Sequence, residues 1–539
     1  MTAATTTATG GVNTVRRVIT YLLLGVMVLI AGIGLAGLLD RAFTTPDVLA
    51  EFGSYGLAQS LAFTFIAGPF AGALWWFAWR NLTDASGDRH SIAWPVYLVI
   101  AHTVSLIVFT VSLFDVLAGL VVGTWRPGQL AVAITWGLIW VWHHWMWHHA
   151  TSGPTRLVSV APALGSLWGL ALFAGGLTAT LTTVFDIALS SFGAGLGMPW
   201  WMHALSNLVW AVGGALTWWW HWTMRGVRTV SHGFSGVALV FIAGIWSVAM
   251  VLVGATLTLW HVLMLLFDAR ADLGLPFSEL GFAVASALVG AVLWAYHRPF
   301  ISTGNLREAT RLATSGVALA VTATGVGVLV NTILAALSAP LVGSSLTSLL
   351  FSGLAALVVG APIWWWVWQP TRVPAYGRGG RRAYLVAVFG ASALVALITL
   401  LVIGFRLFEF FLDTVTGESL IDRIRVPLGL LVATALVAWH HFAVWRGDRA
   451  ALGSSAPEVP RLRHVTLITG APDAAAFVDA IRSATGASTT VLRSVATAAD
   501  GAGAPSAAAV VAALADVAAQ RVVVLAGPGS RLEVVQLEG

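Results

Sequence analysis

The sequence predicts an all-α polytopic membrane protein with a small soluble α/β domain at its C-terminal end. Of the 539 residues, 58% are hydrophobic and only 9% are charged, whereas roughly a quarter of the residues in soluble domains are charged. Long apolar segments with almost no charge need lipid as their solvent. These segments stop near residue 446. The lipid bilayer is therefore the first predicted partner.

Six apolar segments end in clusters of Trp, most of which also contain or precede His or Arg. The clusters begin at Trp75, Trp140, Trp218, Trp294, Trp364 and Trp439, so successive clusters are 65 to 78 residues apart. Self-similarity at a nearly fixed period indicates an array built from one unit. Another apolar segment precedes each Trp-terminated one, and each is about long enough to cross ~30 Å of hydrocarbon as a helix.

The membrane domain, residues 15–446, is thus predicted to contain about twelve transmembrane helices arranged as six helical-hairpin repeats. The predicted repeats are residues 15–80, 92–149, 156–224, 235–298, 310–369 and 380–446. Arg16 and Arg17 precede the first apolar run, which lacks an Ala-x-Ala-like cleavage site. We therefore expect a retained first span and not a signal peptide.

The segments outside the membrane domain differ from it in composition. Residues 1–14 are rich in Thr, Ala and Gly and are predicted to be disordered, and residues 447–460 are predicted to be a linker. Residues 461–539 show a β-α-β-α-β-β pattern, which predicts a small cytoplasmic α/β domain. Residues 470–473 lack the Gly spacing and the Lys of a nucleotide-binding loop. We expect this domain to dock a cytoplasmic protein partner.

The distribution of Arg predicts the orientation in the membrane. Fourteen Arg residues lie on the side of the N-terminus and the Trp clusters, and six lie in the opposite loops. Because cytoplasmic loops carry the excess of basic residues, both termini are predicted to be cytoplasmic in a multi-pass protein of the cell membrane. The Arg residues are dispersed at the helix ends and do not form one basic patch. The pI of about 10.2 therefore does not indicate a nucleic-acid partner. The absence of Cys excludes disulfides and thiolate chemistry.

A carboxylate follows a large apolar residue where five of the six first helices end. These carboxylates are Asp40, Asp115, Asp186, Asp268 and Glu409, and the fifth repeat has Asn331 at about the same place. One interpretation is that each carboxylate stops the span and caps the next turn. The other is a ring of acids at an external mouth that attracts cations.

The second repeat has the densest group of imidazoles. His143, His144, His148 and His149 are a candidate metal site, since two His residues four apart lie on one helical face. A haem or metal ion near the cytoplasmic surface is the cofactor that they would hold, and no other cofactor and no catalytic residue are predicted. The alternative is an interfacial aromatic belt, because indole rings settle at the boundary between headgroups and hydrocarbon.

Few other ionisable or amide side chains lie within the apolar segments. His102 lies in the third helix, His203 and Asn207 open the sixth, and His261 lies in the seventh. A polar group at membrane depth is costly and marks a candidate functional site. A buried structural His satisfied by one neighbour is the alternative for each. Together with the five carboxylates, these four residues are the candidates for a transport path.

The repeated unit resembles a bacterial integral membrane family catalogued only as a domain of unknown function. The matching pieces are Arg381-Arg382-Ala383-Tyr384-Leu385, which opens the sixth repeat, and second-helix endings such as Trp294-Ala295-Tyr296-His297 and Trp218-Trp219-Trp220-His221. The resemblance extends over about residues 15–446. It implies the two-helix architecture and no activity, so it assigns no catalytic residue.

Three functional classes remain after these observations. The first is a non-enzymatic membrane scaffold or subunit whose C-terminal tail docks a cytoplasmic protein. The second is a transporter or channel for a small solute or ion, and the third is a redox subunit with a His-ligated metal or haem. A cavity that reaches His102 or the level of Asp40, Asp115 and Asp186 would favour transport, whereas apolar packing throughout would favour the scaffold.

Overall fold

The computed structural model describes residues 4–44, 54–83, 91–189, 199–229, 233–267, 279–301, 304–338, 346–369, 378–412, 419–454, 462–470, 474–493, 505–515, 517, 519–527 and 531–537. The chain divides into two compact units, Met1–Phe442 and Ala443–Gly539. The first unit is helical in its described parts, and the strands that the structure describes all lie in the second.

Twelve long helices follow one another along the described chain. The first six are α1 (Ala4–Phe43), α2 (Ser54–Ala62, the π-helical turn Phe63–Ala67 and Gly68–Thr83), α3 (Ala93–Val121), α4 (Pro127–His148), α5 (Val160–Leu189) and α6 (Trp200–Trp219 with the π-helical turn Trp220–Met224). The other six are α7 (Gly233–Val240, the π-helical turn Phe241–Trp246 and Ser247–Phe267), α8 (Leu280–His297), α9 (Gly304–Leu337), α10 (Leu346–Trp368), α11 (Arg378–Leu412) and α12 (Leu420–Ser454).

Nine of the helices within these described ranges are long and apolar enough to cross a membrane. They are α1, α2, α3, α5, α7, α8, α9, α10 and α11. This number fits a multi-pass membrane protein. The predicted helices α4, α6 and α12 are present as well, but many of their positions hold Trp, His or charged residues, which lower the mean hydropathy.

The boundaries of the membrane domain differ from the sequence expectation at both ends. Helix α1 begins at Ala4, so most of the predicted disordered segment 1–14 is helical. Helix α12 continues to Ser454, well into the predicted linker 447–460. Both extensions have the same reason: elongating an existing helix fixes one residue for each added hydrogen bond, which is far easier than starting a new one.

The two helices of a predicted hairpin pack antiparallel at glycines. In the third pair, Gly169 lies against the backbone of Trp218, whereas Gly176, further along α5, lies against Ala211, which comes earlier in α6. A Cβ atom on Gly169 would come within 2.8 Å of the Cα of Trp218. Only small residues permit such close approach of two backbones.

The helix pairs are joined in a regular order. The first helix of one pair packs against the second helix of the next pair, as in α1 with α4, α3 with α6, α5 with α8, and α7 with α10. Helices α9 and α12 meet in the same way, through a hydrogen bond from Arg425 to Asn331. The sixth pair, α11 and α12, meets through the rings of Tyr384 and His441, whose centroids are 5.9 Å apart.

The Trp clusters divide between inward and outward faces. Trp147, Trp222 and Trp368 are buried, with exposed fractions of 6%, 2% and 0%, whereas Trp366 and Trp439 are 76% and 71% exposed. A helix turns by about 100° per residue, so consecutive Trp residues cannot share one face. The interpretation as an interfacial belt therefore applies only to the outward-facing Trp residues. The inward-facing Trp residues pack between the helices.

The second unit contains a four-stranded sheet with two helices. Its elements follow in the predicted order: β1 (His464–Thr469), α13 (Ala474–Thr485), β2 (Ser488–Arg493), α14 (Ala507–Leu514), β3 (Arg521–Ala526) and β4 (Leu532–Leu537). The strand order is β2-β1-β3-β4, with β1 parallel to β2 and β3. Strands β3 and β4 form the predicted antiparallel hairpin.

The two faces of this sheet differ in burial. Leu467 and Val524 point to the side of α13 and α14 and are fully buried together with Ile481. Side chains alternate along a strand, so the neighbouring residues point to the other face. There Ile468 lies opposite Leu492, which is 51% exposed. One face of the sheet is therefore apolar in part and not covered by the domain's own helices.

Candidate functional site

Three imidazoles from α3, α4 and α6 lie together on the Trp-cluster side of the first unit. The ring centroid of His102 is 5.9 Å from that of His144 and 6.2 Å from that of His221. The indoles of Trp140 and Trp147 flank His102 at 5.7 and 6.1 Å. His102 is 2% exposed, and neither of its ring nitrogens has a hydrogen-bond partner among the described residues. A buried polar group without a partner calls for an explanation beyond packing.

A π-helical turn brings His221 and Arg225 to this group. The turn Trp220–Met224 ends α6, and such turns occur frequently at functional sites. His221 donates from Nδ1 to the carbonyl oxygen of Thr217 at 2.9 Å, which directs the rest of its ring inward. Space for the ring exists because residue 165 is Gly: a Cβ atom there would lie 2.6 Å from Nε2 of His221.

Arg225 supplies a positive charge to the same group. One of its terminal nitrogens lies 3.5 Å from Nε2 of His144 and also bonds to Nε2 of His148. A guanidinium can only donate, so these imidazole nitrogens accept. Partial burial lowers the pKa of Arg225, but arginine keeps its charge in proteins. A fixed positive charge beside these imidazoles disfavours a metal ion at the same place.

The four predicted metal ligands do not converge on one point. His143 contacts the hydroxyl of Tyr97 through Nε2 at 2.9 Å, and the ring of His149 packs against Trp79 at 4.9 Å. His144 and His148 face Arg225 instead. Within the described ranges, no group of three or more His, Asp or Glu side chains has the geometry to hold a metal ion. The reason is helical geometry, because adjacent residues lie 100° apart around α4.

The other predicted intramembrane residues lie apart from His102. His203 is exposed at the start of α6. The amide of Asn207 is 3.5 Å from the hydroxyl of Thr183. His261 is buried, and its Nδ1 donates to the carbonyl of Leu257 at 2.7 Å. A structural role thus accounts for Asn207 and His261, whereas His102 is the one buried imidazole among the described residues with neither nitrogen paired.

At the opposite ends of the helices, two of the predicted carboxylates share a cavity. Asp40 at the end of α1 and Asp115 on α3 line a cavity of about 600 Å³. Arg126, the residue before α4, also lines it and forms an ion pair with Asp115. Gly128 leaves room beside Asp40, since a Cβ atom there would lie 3.2 Å from Oδ1. Two carboxylates and one guanidinium leave a formal negative charge, which attracts cations.

The remaining predicted carboxylates lie outside this cavity. Oδ1 of Asp186 is buried with no hydrogen-bond partner among the described residues. Glu409 lies 2.8 Å from Arg406 and 3.9 Å from Arg423. Asp268 falls outside the described residues. Asp40 and Asp115 are therefore the pair that the structure brings together, and the predicted ring of acids is not seen in the described residues.

A related group occurs where α9 meets α12. Arg425 donates to the side-chain oxygen of Asn331 at 3.0 Å and lies 3.5 Å from Asp422. The hydroxyls of Ser338 and Ser419 each donate to Asp422 at 2.7 Å. These two hydrogen bonds, with Arg425, lower the pKa of Asp422. Asn331 occupies the position in the fifth repeat that Asp40 occupies in the first, so an amide replaces the carboxylate.

Three residues of these sites, Arg225, Arg126 and Tyr97, carry little sequence signal of their own. Arg225 follows a Trp-His cluster, and Tyr97 opens its helix as Tyr384 does in the resemblance. Only the tertiary packing shows that each lies beside a predicted residue.

Comparison with known families identifies the same unit at both ends of the membrane domain. The family model described as Domain of unknown function (DUF5671) matches residues 17–140 and 308–436. Each match covers four helices, namely α1 to α4 and α9 to α12, and so spans two of the predicted hairpins. No curated protein and no solved structure matches the chain significantly. The resemblance to an internally repeated family of unknown function is thereby confirmed.

Proposed function

Taking as the premise that this membrane protein carries the DUF5671 unit twice, we propose that it transports a small cation and that the first copy holds the outer binding site. The observation that carries the proposal is the 600 Å³ cavity lined by Asp40, Asp115 and Arg126. Carboxylates that face a cavity at helix ends favour cation entry. Apolar packing throughout this level would instead have favoured a scaffold.

For this function we propose a topology of twelve spans with both termini in the cytoplasm. Nine helices satisfy the length and hydropathy of a span within the described ranges. The 22 residues of α4 and the 35 residues of α12 also exceed the roughly 20 that a span needs. The Arg distribution supports the orientation, which would put the carboxylate cavity on the external side.

We propose that the step inward from the outer cavity involves α3, which carries both Asp115 and His102. His102, with both nitrogens unpaired among the described residues, lies further along α3 toward its N-terminal end than Asp115. An imidazole can pass a proton between its two nitrogens. A proton is therefore the first cation to test.

The experiment is a flux measurement on the full chain in sealed liposomes. Gradients of H⁺, Na⁺ and K⁺ are imposed in turn, and entry is followed with an ion-sensitive dye. We expect flux of one of these cations above that of protein-free liposomes, and a loss of about tenfold or more in Asp40→Asn. Glu409→Gln is the matched control, because it removes a carboxylate outside the cavity.

Equal flux in liposomes with and without protein, for all three cations, would overturn the proposal and favour the scaffold class. Equal loss in Asp40→Asn and Glu409→Gln would overturn the assignment of the cavity. The haem or metal redox class has less support, since the predicted ligands do not converge. An absorption spectrum and a metal determination on the same preparation test it directly.

The C-terminal domain is proposed to dock a cytoplasmic protein. Support comes from the open sheet face that contains Ile468 and Leu492. Exposed apolar patches on soluble domains indicate interaction sites. A fluorescent protein fused after residue 539 tests the location, because it is expected to fluoresce only if the C-terminus is cytoplasmic.

A further inference from the structure

The cavity of about 410 Å³ between α1, α3 and α4 has properties that the transport proposal does not use. Its volume lies in the range of small-molecule sites, roughly 300–1,000 Å³. Leu22, Val26 and Ile100 line it and are 65%, 40% and 58% exposed. Because these side chains lie on the outer surface of apolar spans, the cavity opens toward the lipid. A ligand that enters there must be soluble in the membrane.

The side chains with polar atoms at the wall of this cavity are those of Tyr21, Tyr97, Trp136 and His143, and Tyr97 and His143 form a hydrogen-bonded pair. Tyr97 is 7% exposed and His143 is fully buried. The ring of Tyr97 contacts those of Tyr21 and Trp94, at centroid distances of 5.8 and 5.7 Å, and the last two rings are 5.4 Å apart. This three-ring contact restricts the orientation of the phenol and so positions its hydroxyl in the site.

The hydrogen bonds of this pair determine what the hydroxyl can offer to a ligand. Nδ1 of His143 lies 2.7 Å from the carbonyl oxygen of Ile139, which can only accept, so Nδ1 carries the hydrogen of the neutral ring. Nε2 must then accept, and the Tyr97 hydroxyl donates to it at 2.9 Å. The single hydrogen of the hydroxyl is thus engaged. Its oxygen retains the capacity to accept one further hydrogen bond.

We propose that this cavity binds a lipid-soluble molecule with a hydroxyl head group, such as a long-chain isoprenoid alcohol or a quinol. The hydroxyl donates to the oxygen of Tyr97, and the apolar tail lies against Leu22, Val26 and Ile100. A methyl ether or a quinone cannot donate and loses that bond. The inference is independent of cation transport, so failure of the flux experiment leaves it intact.

The second family copy provides a matched comparison. Tyr384 opens α11 as Tyr97 opens α3, and its ring also contacts a buried imidazole, that of His441. Its hydroxyl, however, is 3.2 Å from the hydroxyl of Ser315, and Tyr384 lines neither the 410 Å³ nor the 600 Å³ cavity. Tyr384→Phe is therefore the same chemical change without the proposed site.

The test is competition photolabelling of the full chain in lipid nanodiscs. A geranylgeraniol analogue with a photoreactive diazirine is the probe, and geranylgeraniol or its methyl ether is the competitor. We expect labelled peptides within residues 18–29 and 93–104. The alcohol should compete about two- to tenfold better than the ether, the preference that one net hydrogen bond provides.

The variants separate the hydroxyl from the shape of the cavity. Tyr97→Phe should abolish the preference for the alcohol, and Tyr384→Phe should keep it. Ile100→Trp, at a surface position, should fill the cavity. We expect it to reduce the labelling that is measured without any competitor. Equal competition by alcohol and ether in the unmodified protein would overturn the proposal. So would saturable labelling that Ile100→Trp leaves unchanged.

Discussion

Gly165 and His221 provide the most direct test of how the imidazole group is packed. In Gly165→Ala, the new Cβ atom would lie 2.5 Å from Cδ2 and 2.6 Å from Nε2 of His221. The ring cannot turn away without breaking its hydrogen bond to Thr217. Overpacking of this kind typically costs about 1–3 kcal/mol. We expect Gly165→Ala to lower the free energy of unfolding by that amount in a denaturation titration of the protein in mixed micelles.

The matched control is Gly175→Ala on the same helix. No heavy atom lies within 4 Å of its added Cβ, and Ala favours helix over Gly by roughly 0.5–1 kcal/mol, so this variant should be unchanged or slightly more stable. In a His221→Ala background, the cost of Gly165→Ala should fall below about 0.5 kcal/mol, because the clashing ring is gone. An equal cost in both backgrounds would refute the packing that we describe.

Three further predictions concern other parts of the chain. Asp422→Asn should lower the free energy of unfolding at neutral pH, because hydrogen bonds to the charged carboxylate lower the pKa of Asp422. The difference in this free energy between the variant and the unmodified protein should shrink as the pH falls below about 3.9, the ordinary pKa of an Asp side chain. Trp94→Phe should cost about 1–3 kcal/mol in the same titration, because a buried carbonyl loses its donor, whereas Trp76→Phe, at a 56% exposed position, should not. If the proposed cytoplasmic partner docks on the open sheet face, Leu492→Arg should abolish its copurification with the full chain, and Asp479→Arg on the helical side should preserve it.

Several elements were predictable because they depend on local patterns. The order of the helices and the β-α-β-α-β-β tail follow from apolar runs, turn residues and β-branched segments, and the structure has them in that order. The duplicated unit was also predictable, since a family model finds it twice.

The candidate site was only partly predictable. His102 was identified as costly at membrane depth, but its neighbours come from helices 42 and 119 residues further along the chain, at His144 and His221. The four imidazoles of α4 are close in sequence but do not converge in space, because neighbouring residues on a helix point in different directions. Tyr97 became relevant only through its contact with His143.

The sequence by itself indicated a multi-pass membrane protein with an internal repeat, because solubility in lipid and periodicity are properties of composition and spacing. Tertiary structure alone decided which polar groups meet. Asp40 and Asp115 share a cavity with Arg126, while Glu409 pairs with Arg406. The physical reason is that the direction of each side chain depends on helix rotation and on the packing of helices distant in sequence, and neither is encoded in a local pattern.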